Sequence, residues 1–224
     1  MAHVPHVYLP GPWQDAILPL DDPAHRHLRR VLRRADGDPV SYTDGTGTVG
    51  EGTLRGAAVV RGSEQAEPRR RALSMAVAPP SHKDRVRFLV EKLAELGVAE
   101  LRWLATRFGE GRPPDPAKVH TWCRSALEQS RSAWLMSVDP EPVAIGDLPG
   151  GTVFADIAGV HPSQLQGVTW VAVGPEGGWA TGELPADART VSFGREVLRV
   201  ETAAMVAAAS GSLQLFRNGD HGEW

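Results

Sequence analysis

Apolar and polar positions change their rhythm near residue 72 of this 224-residue chain. Before that point short apolar stretches are broken every few residues by turn signals, PGPW, DDP, ADGDP and DGTGTVGEG. This spacing predicts short strands joined by tight turns, and hence a small, mostly β domain over residues 1–70. Residues 39–43 and 53–60 read as two strands of a hairpin flanking a glycine-rich connection. Helical spacing is confined to residues 22–34, where Leu28, Val31 and Leu32 share a face. The polar, proline-bearing stretch 62–71 reads as a linker.

From residue 73 to 224 the texture is α/β. Residues 73–78, 101–105, 152–157 and 169–173 are strand candidates. Residues 84–96 place Val86, Leu89, Val90, Leu93 and Leu96 on one helical face, with Gly97 as the stop, and residues 116–134 form a second helix. An alanine-rich helix covers 202–216. Alternating strands and helices imply a largely parallel sheet.

A hydrophobic content of 42% is enough for a buried core and excludes disorder of the whole chain. The single cysteine, Cys123, removes a disulfide scaffold and a cysteine-rich zinc site, and fits a reducing compartment. The start MAHVPHVYLPGPW lacks the layout of a signal peptide, and no apolar run approaches the roughly 18 residues of a membrane span. The expectation is a cytoplasmic protein with no membrane partner. A net charge of -3 argues against bulk electrostatic coating of nucleic acid. The charge is uneven, with 10 basic and 9 acidic residues up to position 72 and 14 against 18 beyond it.

Residues 25–34 form the densest basic run. Arg26, Arg29, Arg30 and Arg33 could grip phosphate in two places each, or simply solvate a helix face. His25 and His27 lack further ligands, so no metal is expected. Residues 45–50 satisfy GxGxxG, yet EGTLRGAAVV continues as a strand rather than a helix, so a hairpin turn is expected there instead of a dinucleotide site. The strongest signal is VAVGPEGGW, an apolar strand running into Gly174, Pro175, Glu176, Gly177 and Gly178. Such a loop presents peptide groups to a ligand at the carboxyl end of a strand. Some twenty residues on, VSFGREVLRVETAA supplies Phe193, Gly194, Val197 and Leu198, then Arg199, Glu201 and Thr202 where the last helix begins. Glu128, Gln129, Ser130 and Arg131 make a polar cluster near a helix end. No serine-hydrolase elbow, Walker loop, HExxH or EF-hand is present.

GPEGG followed by FGREVLRVETAA resembles the paired cofactor loops of the trefoil-knot (SPOUT) RNA methyltransferases, and within them the family that methylates N3 of a uridine in small-subunit (16S) ribosomal RNA. HLRRVLRRADGDPVSYTDGTG is similar to that family's amino-terminal PUA-like RNA-binding barrel, and KDRVRFLVEKLAELGV to the first helix of its catalytic domain. The resemblance implies a PUA-like β-barrel over residues 1–70 and an α/β trefoil-knot domain over 73–224. It also implies S-adenosyl-L-methionine as cofactor, held by residues 174–178, Phe193, Gly194, Val197, Leu198 and Thr202, with Val197 and Leu198 packed on the adenine. Glu201, or Glu176, would take the N3 proton, while Arg199 would steady the charge developing on the uracil. Arg26, Arg29, Arg30, Arg33 and Arg131 would contact RNA, the partner being small-subunit rRNA or the 30S particle, and the chain would form a homodimer. Ser132 stands where the family has an arginine, residues 106–126 are shorter and less basic, and Ala180 replaces a frequent serine. Two other readings keep the fold: methylation of another RNA or a small molecule, and a catalytically silent RNA-binding or ribosome-assembly protein.

Overall fold

A computed structural model describes residues 4–69, 73–165 and 167–215. The chain divides into two compact units, Met1–Arg70 with Arg124–Leu135, and Arg71–Cys123 with Met136–Trp224.

The smaller unit is a five-stranded sheet of β1 (His6–Tyr8), β2 (Ile17–Pro19), β3 (Pro39–Thr43), β4 (Thr48–Arg55) and β5 (Ala58–Ala66), in the order β1-β3-β4-β5-β2. Val7, Leu18, Leu28, Val40, Tyr42, Leu54 and Val59 form its core, with the Trp13 ring set edge-on to Tyr42 at 5.0 Å. Of the glycine-rich stretch expected as a connection, residues 48–52 are strand, and the strand expected over 53–60 is broken by the turn at Gly56 that separates β4 from β5. β4 starts at Thr48 because Asp44 Oδ1 accepts from the N–H groups of Thr46 and Thr48 at 2.7 and 3.0 Å and closes a tighter loop. Gly50 then lies under the Tyr42 ring, where a Cβ would stand 2.2 Å from it. β5 also continues to Ala66, into the stretch expected as linker.

Val31 is 66% exposed, against the expected apolar face. Helix α1 (Asp22–Arg26), capped by the Asp21 carboxylate, widens into a π-helical turn over His27–Val31, where the Leu32 N–H reaches the His27 carbonyl. A wider turn advances each residue by a smaller angle, so Val31 no longer returns to the face of the fully buried Leu28.

Helix α2 is Lys83–Glu95, and helix α3 (Pro116–Ser130) ends four residues before the expected Trp134, with Arg131 left-handed at φ 58°. Its last turns belong to the smaller unit. Glu128 accepts from the β1 amide of Tyr8 at 3.1 Å, and Arg124 pairs with Asp21. The Trp134 ring fills the space beside Gly47, where a Cβ would stand 2.3 Å away. The motif glycines 45–50 are thus packing glycines of a β hairpin.

The larger unit holds β6 (Ser74–Val77), β7 (Glu100–Ala105), β8 (Ser137–Ala144), β9 (Val153–Val160), β10 (Trp170–Val173) and β11 (Arg189–Val191), all parallel, in the order β11-β9-β10-β6-β7-β8. β8 and β11 are edge strands without an apolar pattern. β8 carries Pro140 and Pro142, which an edge tolerates because no neighbour needs the missing donors. The last helix, α4 (Val200–Leu215), packs on α2, β6 and β10. Its Ala204, Ala207 and Ala208 are fully buried, and Gly211 meets Leu73. Phe216 of the expected helix lies outside the described residues.

Candidate functional site

The order of the six strands reverses around β10. From β6 the chain builds outward through β7 to β8, then returns on the far side as β9, and β10 is laid between β9 and β6. In open parallel sheets ligands bind at the carboxyl ends of the strands beside such a reversal. β10 ends at Val173 and runs straight into the loop 174–178.

That loop is a tight turn, closed by the Gly178 N–H on the Pro175 carbonyl at 2.9 Å, with Gly178 at φ 72°. Gly174 is small because the Trp179 ring lies over it; a Cβ there would come within 3.0 Å. Trp179 is fixed by its Nε1–H on the Ala155 carbonyl at 2.8 Å and by edge-on contact with Phe154. Ala180, in the place of a capping serine, has its N–H capped by Glu183 at 2.7 Å instead, and the same carboxylate accepts from the Arg107 amide at 2.7 Å.

The second loop begins at Ser192, whose N–H binds the Val160 carbonyl and whose hydroxyl binds the Gly194 carbonyl, each at 2.8 Å. Beside Gly194 there is open space, the nearest atom to a notional Cβ being 4.0 Å away. Val197 is 81% exposed, and Ile157 and Val160 at the end of β9 are also exposed. These exposed apolar side chains and the open glycine leave uncovered apolar surface on this side of the sheet. Phe193 and Leu198 are half-buried, and Thr202 is half-buried in the first turn of α4.

Arg85, in the first turns of α2, bridges the first loop and the first turn of α4. Its guanidinium lies 3.8 Å from Glu176 Oε1 and 3.7 Å from Glu201 Oε1. The Glu201 side chain is only 9% exposed, and among the described residues its buried Oε2 has no hydrogen-bond partner. A buried carboxylate oxygen in that state costs about 1–3 kcal/mol and calls for a donor. Arg199 is exposed, and among the described residues its guanidinium has no partner. A cavity of about 700 Å³ opens beside this cluster, lined by His82, Arg85, Arg107, Phe108, Glu176 and Gly177.

The basic run lies in the smaller unit. Arg26, Arg30 and Arg33 are exposed. Arg29 is engaged internally, donating to the Arg34 and Gly56 carbonyls at 2.9 and 2.7 Å and pairing with Asp36. Arg131 donates to the Val4 carbonyl at 2.6 Å and to Ser41 Oγ at 3.0 Å. Burial pushes the Cys123 thiol up to about 12, which leaves it without nucleophilic character. Among the described residues no cluster of His, Cys, Asp and Glu could hold a metal ion, and no helix is long and apolar enough to cross a membrane.

Arg85, Phe108 and Ser192 were passed over by the reading of the sequence. Arg85 sits in the KDRVRFL segment, whose apolar spacing and family resemblance mark a helix but assign its charged residues no role. Phe108 follows the carboxyl end of β7, and that position was the available signal.

Residues 67–212 match the model of an RNA methyltransferase domain family. No curated protein matches the sequence significantly. Among solved structures, the chain is similar to a probable rRNA-methyltransferase from Porphyromonas gingivalis, with 25% identity over 96% of this chain and 100% of that one and a TM-score of 0.83. It is also similar to the ribosomal RNA small subunit methyltransferase E from Neisseria gonorrhoeae bound to S-adenosyl methionine, with 24% identity over 93% and 96% and a TM-score of 0.80. The fold is therefore the one expected, a PUA-like β unit and an α/β trefoil-knot domain.

Proposed function

The chain belongs to the RNA methyltransferase family, and from that premise we propose that it uses S-adenosyl-L-methionine to methylate N3 of a uridine in 16S rRNA of the small ribosomal subunit. The observation that carries this reading is that Arg85 stands between Glu176 of the first loop and Glu201 in the first turn of α4, whose buried Oε2 has no partner among the described residues.

The residues present fit the cofactor. The peptide groups of residues 174–178 and the apolar side chains of Phe193, Val197 and Leu198 beside the open Gly194 offer polar and apolar contacts of the kind an adenosyl group needs, and Thr202 adds a hydroxyl in the first turn of α4. When bound, the sulfonium supplies an activated methyl group. What remains for the protein is alignment of the acceptor and removal of one proton. Glu201 is the base for the N3 proton of a uracil: its Oε2 has no donor among the described residues, and Arg85 holds the opposite oxygen of that carboxylate. Arg199, exposed at the start of α4, can stabilise charge that spreads to the uracil carbonyl oxygens.

RNA contact falls to Arg26, Arg30 and Arg33, whereas Arg29 and Arg131 act mainly within the smaller unit. With 14 basic against 18 acidic residues beyond position 72, affinity for free RNA is limited, which favours an assembled 30S particle in the cytoplasm. The half-buried side of α4, with Ala203 and Val206, is the face for a second copy of the chain.

Nucleoside mass spectrometry of rRNA from a deletion strain should show loss of 3-methyluridine that the gene restores, and an unchanged level refutes this target. Calorimetry should detect S-adenosylmethionine binding that Gly194→Trp abolishes. No binding by the wild-type chain would instead support a silent RNA-binding protein.

A further inference from the structure

Phe108 is a large apolar side chain left 53% exposed at a cavity whose other lining residues are polar, charged or glycine. Its position is held against the loop 174–178: a Cβ on Gly177 would stand 3.2 Å from the Phe108 Cβ. Around it, Arg85 and Arg107 offer donors and Glu110 and Glu176 acceptors, and among the described residues the Arg107 guanidinium has no partner. The cavity volume of about 700 Å³ lies within the range of roughly 300–1,000 Å³ that takes a small ligand. An aromatic face with arginines and a carboxylate at its edge is the composition that receives an unstacked nucleobase. The ring supplies a π-surface, and the polar groups meet the acceptor and donor atoms of the base edge. A uracil presents two carbonyl acceptors flanking one N–H donor, and it can reach N3 chemistry only when drawn out of its stack.

We propose that this cavity receives the target base flipped from the RNA, with Phe108 as its stacking platform and Arg107 as a donor to its carbonyls or to the adjoining phosphate. The inference rests on the RNA-methylation reading above and adds the place and the residue that select a single base. Phe108 is a positioning residue. Its ring orients the acceptor beside the loop 174–178 and takes no part in proton transfer.

The test is photo-crosslinking of the full chain to small-subunit particles reconstituted on rRNA transcribed with 5-iodouridine, followed by peptide mapping. The crosslink should map to Phe108, fall about tenfold or more in Phe108→Ala, and persist within about threefold in Phe108→Tyr, since the stacking face rather than the residue name matters. Calorimetry with S-adenosylmethionine should give the same affinity for all three proteins within twofold. An undiminished crosslink in Phe108→Ala, a crosslink confined to residues outside the cavity, or none at all overturns the proposal. Crosslinking needs no methyl transfer. A chain that crosslinks through Phe108 but transfers no methyl group therefore sinks the reaction and keeps the pocket.

Discussion

Arg85 Nε stands 3.7 Å from Oε1 of Glu201, a carboxylate whose other oxygen is buried and has no partner among the described residues. A carboxylate so placed is oriented by its cation on one side and lacks a donor on the other. Glu201→Gln keeps the shape but removes the proton acceptor, so single-turnover methyl transfer should fall by about 10²-fold or more while cofactor affinity stays unchanged. A rate within threefold of wild type would remove Glu201 from the proton transfer. Arg85→Met should cost about 1–3 kcal/mol in urea unfolding, because a buried carboxylate loses its counter-charge, and Arg85→Lys should recover part of that loss.

In the smaller unit, Gly47 has φ 107° and the Trp134 ring where a Cβ would lie, whereas Gly37 has φ 88° and nothing within 4 Å of a Cβ. Gly47→Ala should destabilise by about 2–4 kcal/mol through strain and overpacking together, and Gly37→Ala by about 1 kcal/mol through backbone strain alone. Urea midpoints measured at constant m-value separate the two. Equal costs would mean that Trp134 does not occupy that space in solution.

His6 is buried in β1 beside Ser41 of β3, its Nδ1 2.9 Å from Ser41 Oγ and its Nε2 3.4 Å from the Ser132 carbonyl. Burial lowers its pKa from 6.5 to about 4; the Ser132 carbonyl opposes that shift and the Arg131 charge adds to it. The unfolded chain therefore binds a proton that the folded chain refuses. The contribution of His6 is fully present above about pH 6.5 and is lost as pH falls toward 4, with a slope of at most about 1.4 kcal/mol per pH unit. His6→Gln should flatten that part of the stability profile. An identical slope in the variant would show that other groups take up the proton.

Arg29 and Arg30 are neighbours with different duties. Arg29 ties the π-helical turn to Asp36 and to the Gly56 carbonyl, while Arg30 is exposed. Arg29→Ala should lower stability by about 1–2 kcal/mol. Arg30→Ala should leave stability within about 0.5 kcal/mol and reduce the salt dependence of RNA binding by roughly one phosphate contact. The reverse pattern would reassign both residues.

The helices and inner strands of the larger unit were legible because burial on one or both faces leaves a periodic trace, as at Val86, Leu89, Val90 and Leu93. β8 and β11 left no such trace, since edge strands with one neighbour can carry proline and charge. The two loops were legible as motifs, but their meeting at Arg85 depends on long-range packing that no local spacing encodes. For the same reason the sequence did not show that residues 124–135 fold with the β unit. Their partners Tyr8, Asp21 and Gly47 lie some 80 to more than 100 positions away. Val31 was misplaced because a π turn changes the helical period without a sequence signature.

The central claim is tested most directly by incubating the full chain with S-adenosylmethionine and unmethylated 30S particles, then digesting the rRNA and quantifying methylated nucleosides by mass spectrometry. The account predicts 3-methyluridine approaching one per particle, much less with free 16S rRNA and none with bulk tRNA. Absence of 3-methyluridine from the particle, or methyl groups on a different nucleoside, would contradict it.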